Sequence, residues 1–236
     1  LGNDNIKDKI INLLLYKKEH DIDSKNDRAI LAPYKSKLLE ALDNLKIIDP
    51  ACGSGAFPIS MLQIIMSAYT RIESRMDQYK IKLGIIERNL YGVDIEPMAV
   101  EIARLRNWLS LIVDTTIKAK EKNLGIEALP NLDFKYTCAN SLIPLETVQQ
   151  KSFGDDPTLE GKITEIREKY YKARKLKTKI KLREDYDKLV SQKKQLNLFG
   201  KSNRHKQLET YHPFDSENIT QFYDSQFMFG LDGFDI

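Results

Sequence analysis

The sequence DPACGSGAF at residues 49–57 decides the fold of this chain. It follows the apolar run LKII at residues 45–48, and long side chains are nearly absent for the next few residues. A short apolar segment before a run of small residues is typical of a strand that enters a tight turn. Glycine permits such a turn and lets a ligand approach the backbone. Pro58 suits the first turn of a following helix, because its missing N–H would have no helical partner there.

The same alternation of strand and helix continues along the chain. Residues 89–95 (NLYGVDI) and 134–138 (FKYTC) are predicted strands, and helices are predicted over 57–76 and over 97–114. Strands that alternate with helices in this way indicate an α/β fold with a parallel, doubly wound sheet.

Other segments lie outside this alternation. Helical spacing of apolar residues predicts helices over 6–16 and 34–45. Lysine and arginine outnumber the acids over 162–206, where we expect a long helix or a helical hairpin, with a loop over 196–207. The lysines either lie along nucleic-acid phosphates or form a solvated helix face. The final GFDI, residues 233–236, is typical of a strand that is just beginning.

Composition narrows the class of protein. The chain has 236 residues, of which 42% are hydrophobic, and its net charge is +3. No apolar run reaches the roughly 20 residues of a membrane span, and the first residues lack the apolar block of a signal peptide. Two cysteines make no disulfide framework, so we expect a cytoplasmic protein. The three histidines are scattered, and no metal site is predicted.

The small-residue turn also restricts the ligand. A dinucleotide fingerprint would need a third glycine after Gly55, and a Walker loop would need Gly-Lys-Ser/Thr, and both are missing. Asp49 would repel phosphate and suits an amino group. Asp94, at the end of the second strand, is placed to hold both hydroxyls of a ribose, and Ile95 can pack on adenine. These features favour S-adenosylmethionine. An NAD-dependent oxidoreductase is the alternative from another class, and the missing glycine argues against it.

Three segments carry a family resemblance. DPACGSGAF, YGVDIEPMAVEIARLRNWLSL and NLDFKYTCANSLI resemble the cofactor half of adenine-specific DNA methyltransferases. They are most similar to the methylase part of type II restriction–modification enzymes that carry both activities on one chain. The resemblance covers residues 45–145, and FYDSQFMFGLDGFDI resembles that family's approach to its catalytic strand. It implies a partial Rossmann-like, S-adenosylmethionine-dependent methyltransferase fold with a basic helical insertion.

The resemblance also implies the cofactor-binding residues, which lie in three loops. They are Asp49, Ala51, Cys52, Gly53, Gly55, Asp94, Ile95 and Asn140. The first five would line the methionine end, and the next two would hold the ribose and the adenine. Asn140 stands where many members have an aspartate that reads the adenine amino group, and its side-chain oxygen can accept the same bond.

Two motifs of the family are missing. The sequence contains neither the catalytic Asn-Pro-Pro-Tyr loop nor a Tyr-Thr-Pro segment before residue 49. We therefore expect a fragment without catalytic residues that is inactive by itself. The expected division is an N-terminal helical segment (1–44), the cofactor-binding core (45–145), a basic helical insertion (146–215) and a return to the sheet (216–236).

For the intact enzyme, the resemblance implies methyl transfer to the N6 amino group of an adenine flipped out of double-stranded DNA. A methyltransferase that acts on RNA or on protein glutamine is the close alternative. A non-catalytic nucleic-acid-binding module is a third.

Overall fold

A parallel sheet forms the centre of the computed structural model, which describes residues 4–12, 14, 29–73, 77–113, 130–147, 157–173, 175–195 and 203–236. Its strands are β1 (Ile47–Asp49), β2 (Leu90–Asp94) and β3 (Tyr136–Cys138), in the spatial order β1-β2-β3. Both pairings are parallel, with Ile47 opposite Leu90 and Gly92 opposite Tyr136. The predicted α/β class and its three strands are therefore confirmed.

The helices alternate with these strands and then continue beyond them. Their bounds are α1 Asp4–Ile11, α2 Lys35–Asn44, α3 Ala56–Ile72, α4 Gln78–Arg88, α5 Pro97–Val113, α6 Pro157–Lys172, α7 Leu176–Gln195, α8 Asn203–Leu208 and α9 Ser225–Phe229. Within the described residues, no helix combines the length and the apolar character that crossing a membrane needs.

The sheet separates two apolar cores. Leu90 belongs to the core beneath α3, α4 and α5, whereas Tyr91 and Val93 belong to the core on the opposite face. Successive residues of a strand point to opposite faces, so β2 supplies both cores. Ile166 and Tyr186 bring α6 and α7 into the second core. The basic region thus forms a helical hairpin that covers one face of the sheet, and the hairpin alternative is confirmed.

The last residues approach the free edge of β1. The Ile48 N–H donates to the Ile236 carbonyl at 2.8 Å, and the Ile236 N–H donates to the Lys46 carbonyl at 3.3 Å. In a parallel pair of strands, one residue bonds to two residues of the neighbouring strand, as Ile236 does with Lys46 and Ile48. These bonds support the strand start predicted at 233–236, although no strand is assigned there.

Two elements differ from the expectations. Helix α4 was not predicted, yet Asp77 begins it by accepting hydrogen bonds from the Tyr79 and Lys80 N–H groups at 3.0 and 3.4 Å. The loop expected over 196–207 was wrong from Asn203 onward, because α8 occupies those positions. The rest of that loop, and most of the helix predicted over 6–16 beyond Ile11, lie outside the described residues. The division at residues 146 and 216 stays a prediction.

Candidate functional site

The turn after β1 is held against β2 by main-chain bonds. The Cys52 N–H donates to the Val93 carbonyl at 2.9 Å, and the Gly55 N–H donates to the Cys52 carbonyl at 2.8 Å. The Asp49 carboxylate accepts from the Ala51 N–H at 3.2 Å. The turn therefore lies at the carboxyl edge of the sheet, where ligands bind in open α/β folds.

The two glycines of the turn have different surroundings. Both have positive φ, +50° at Gly53 and +83° at Gly55, which glycine adopts without strain. A Cβ at Gly53 would meet nothing within 4 Å, so open space lies beside the backbone there. A Cβ at Gly55 would lie 3.0 Å from the Cα and Cβ of Ala103 in α5. Gly53 borders room for a ligand, whereas Gly55 permits close packing of the turn on α5.

Asp94 links the ends of β1 and β2. Its Oδ2 accepts from the Gly53 N–H at 2.7 Å, and its Oδ1 accepts from the Glu96 N–H at 2.9 Å. Each carboxylate oxygen has two lone pairs, so both oxygens retain a position for a ligand hydroxyl. The carboxylate is half-buried beside the open space at Gly53.

An apolar surface follows Asp94 directly. Ile95 is 55% exposed and Met98, in the first turn of α5, is 64% exposed. These two exposed apolar side chains leave a surface beside Asp94 on which an aromatic ring can pack. The role of Ile95 against an adenine ring stays a prediction.

Asn140 lies in the third loop, next to Asp94. The Ala139 N–H donates to the Asp94 carbonyl at 2.8 Å, which fixes the start of this loop at the same edge. The Asn140 side-chain oxygen accepts from the Leu142 N–H at 3.1 Å, and its main-chain N–H donates to the Thr220 carbonyl at 2.9 Å. The structure thus brings the three predicted loops together.

The site has an acidic and weakly reactive character. Asp49 and Asp94 carry its charge, and burial together with these carboxylates raises the pKa of the Cys52 thiol to about 12. Burial, Asp94 and Glu96 raise the pKa of Cys138 to about 11. Both thiols are free and protonated at neutral pH, so they are packing residues rather than nucleophiles. In the described part of the chain, no group of histidine, cysteine and acidic residues could hold a metal ion.

Two residues that support the site, Ala103 and Thr220, were not identified from the sequence. Ala103 receives Gly55, and a small residue on the facing helix would have been the signal for this contact. Thr220 anchors the Asn140 loop and forms a parallel bridge with Ala139, although 81 positions separate them (220 − 139). No local pattern could have indicated this pairing, because it depends on the tertiary fold.

Two models of protein families match the chain. The family model of the MmeI DNA-methyltransferase domain matches residues 22–147, and that of the Eco57I restriction-modification methylase matches residues 88–236. Each match spans more than half of the chain, and together they include the three loops. No solved structure matches the chain significantly.

Curated relatives carry related names. A protein of Methanocaldococcus jannaschii, named as a type II restriction enzyme and methyltransferase, is 49% identical over 109 residues, which are 44% of this chain and 9% of that protein. DNA methyltransferase A of Bacillus subtilis is 29% identical over 77 residues, 31% of this chain and 9% of that protein. The adenine-specific methyltransferase PglX of Streptomyces coelicolor is 26% identical over 126 residues, 53% of this chain and 10% of that protein.

The chain thus spans about a tenth of the length of the curated relatives that it matches. Family membership rests on the two family models, because each of them matches more than half of the present sequence. The chain therefore belongs to the DNA methyltransferases of restriction–modification systems.

Proposed function

We infer that this chain is the S-adenosylmethionine-binding part of an enzyme that methylates the N6 amino group of adenine in DNA. The observation that carries the proposal is the Asp94 carboxylate, which links the ends of two strands by accepting from the Gly53 and Glu96 N–H groups, next to the turn with open space at Gly53. Family membership supports methyl transfer to DNA, and the name of PglX supports adenine as the base.

Each loop would have its own part in holding the cofactor. Asp94 would accept hydrogen bonds from both ribose hydroxyls, because its two oxygens keep free lone pairs. Ile95 would lie against the adenine ring, and Asn140 would pair with the adenine amino group after its turn to Leu142 opens. Asp49, Ala51, Cys52 and Gly53 would surround the methionine end. Gly55 would belong to the cofactor-binding residues indirectly, because it fixes the path of the turn.

The charge of the site fits the cofactor. S-adenosylmethionine supplies an electrophilic methyl group on a sulfonium, and it also carries an ammonium group. Asp49 and Asp94 would favour these cations, and Asp49, in the turn itself, would repel the phosphates of NAD. We further propose that the sheet is part of a Rossmann-like methyltransferase fold.

The DNA would approach the carboxyl edge, because the flipped adenine must reach the methyl group there. The turn between α6 and α7 lies at the opposite edge. Asn131, which precedes β3, donates to the carbonyls of Tyr170 and Ala173, so the hairpin turn lies at the amino edge. Of the two alternatives for the basic region, this favours a solvated face over a contact near the flipped base. We propose double-stranded DNA as the partner and the cytoplasm as the location.

A methylation assay tests the proposal. The enzyme that carries this chain would be incubated with DNA, RNA or a glutamine-containing protein, and the modified residues identified by mass spectrometry. We expect N6-methyladenine in DNA, lost in Asp94→Ala and retained in the surface variant Asp232→Ala. Methyl groups found only on RNA or protein would overturn the proposal in favour of those substrate classes. The chain by itself, without an Asn-Pro-Pro-Tyr loop, should bind the cofactor but transfer no methyl group.

A further inference from the structure

A second cavity lies at the opposite end of the sheet from the cofactor loops. Its volume is about 580 Å³, which is within the range of small-molecule sites. The walls include Lys46 just before β1, Arg88 at the end of α4 and Lys135 just before β3. These positions all precede their strands or end the helices that lead into them, so the cavity opens at the amino edge.

Lys135 is the decisive residue of this cavity. It is only 3% exposed, yet among the described residues its ammonium group has neither a hydrogen bond nor an ion pair. Its contacts are aromatic: the Nζ lies 3.6 Å from the ring centre of Tyr91 and 5.5 Å from that of Tyr171. Buried amines are ordinarily paired or neutral, so an unpaired lysine that lines a cavity offers a place for an anion.

Most of the neighbouring charges have the same sign as Lys135. Lys46, Arg88 and Lys172 also line the cavity, and Glu87 is the acid among the lining residues. Arg88 is engaged by Asp43, whereas Lys172 is exposed at the rim. Burial, followed by the charge of Lys46, lowers the pKa of Lys135 well below its ordinary value. An anion in the cavity would offset the repulsion between Lys135 and the neighbouring cations.

We propose that this cavity binds a phosphate-bearing small molecule, with the phosphate on Lys135 and at the rim on Lys46 and Lys172. Tyr91 and Tyr171 form the apolar wall against which a ring attached to the phosphate would lie. The cavity is separate from the cofactor site, because Tyr91 and Lys135 lie at the strand ends opposite Asp94 and Asn140. A methyltransferase of this family would then sense an anionic metabolite through a surface that takes no part in methyl transfer.

Calorimetric titration with inorganic phosphate and with ATP tests this proposal, with chloride at equal ionic strength as the blank. We expect saturable one-to-one binding, weakened at least about tenfold in Lys135→Met, because charge-assisted hydrogen bonds are lost. Lys172→Gln, which changes an exposed side chain, should weaken binding several-fold. Lys162→Gln removes an exposed charge near the start of α6 and should bind as the wild type does.

Two results would overturn the proposal: no saturable binding of either probe at millimolar concentration, or equal affinity in the wild type and Lys135→Met. Tighter binding of ATP than of phosphate would show that the nucleoside contacts the tyrosine wall. Equal binding would show that the cavity recognises the phosphate alone. S-adenosylmethionine titrated into the same variants should bind unchanged, so failure here is distinguishable from failure of the proposed methyltransferase function.

Discussion

At the scale of single residues, the two glycines of the turn after β1 have different roles: Gly53 borders open space, whereas Gly55 packs on Ala103. Gly55→Ala should lower the free energy of unfolding by about 2–4 kcal/mol, because positive φ strains alanine and the new Cβ meets Ala103 at 3.0 Å. Gly53→Ala should cost only the strain, about 1–2 kcal/mol, but should weaken S-adenosylmethionine binding by filling the open space. Urea unfolding and calorimetry separate the two effects. Equal stability losses with equal affinities would contradict this division.

The two thiols provide a residue-scale prediction about pH. Their folded-state pKa values, about 12 for Cys52 and about 11 for Cys138, exceed the ordinary value of 9.0. The neutral buried thiols therefore contribute their full stability below pH 9, and this contribution falls as pH rises toward 11 and 12. At pH 8 the thiolate fractions are roughly a hundred to a thousand times below that of a free thiol. Iodoacetamide should alkylate the folded chain correspondingly slowly and the urea-unfolded chain fast. Similar rates would show that the thiols are accessible.

At the scale of elements, the strand–turn–helix pattern was sufficient to predict all three strands and the α/β class. The turn and Asp94 were also predictable, because their residue types have few other uses at a strand end. Helix α4 was missed although Asp77 provides a capping signal, because Lys82 is buried and blurs the apolar pattern. The bond from Gly53 to Asp94 and the cavity at Lys135 depend on distant segments, so no local pattern contains them.

The hairpin of α6 and α7 gives the prediction at this scale. Arg167 is 3% exposed, and its guanidinium donates to the carbonyls of Phe227 and Gln226 in α9, at 2.5 and 3.3 Å. Arg167→Leu should destabilise the fold by about 2–4 kcal/mol, because buried carbonyls lose their donors. Lys169→Leu removes an exposed pair with Glu165 and should change stability by less than about 1 kcal/mol. Comparable losses would mean that the hairpin is not anchored through Arg167.

At the scale of the whole molecule, the two edges of the sheet carry different features. Asp49 and Asp94 lie at the carboxyl edge, whereas Lys46, Lys135 and the hairpin turn lie at the amino edge. Arg183 of α7 lies 3.5 Å from Asp133, which precedes β3, so the start of α7 lies at the amino edge, away from the cofactor loops. The molecule therefore presents a ligand-binding edge and a basic edge that point in opposite directions.

The position of the hairpin turn at the amino edge predicts the outcome of replacing four hairpin lysines. In the enzyme that carries this chain, Lys175, Lys177, Lys179 and Lys181 replaced by glutamine should leave the salt dependence of DNA binding nearly unchanged. Four lost phosphate contacts would instead flatten the slope of log K against log salt by roughly 3–4. A flatter slope in the variant would therefore support a DNA contact along the hairpin.

The central claim, a cofactor site built on Asp94, is tested most directly by calorimetric titration of S-adenosylmethionine into this chain and its Asp94→Asn variant. We predict saturable one-to-one binding to the wild type, weaker by roughly 10- to 100-fold in Asp94→Asn, because one carboxylate acceptor becomes a donor. Asp232→Asn, a change of the same chemistry on the surface, should bind like the wild type. Equal affinities in wild type and Asp94→Asn, or tighter binding of NAD than of S-adenosylmethionine, would contradict the account.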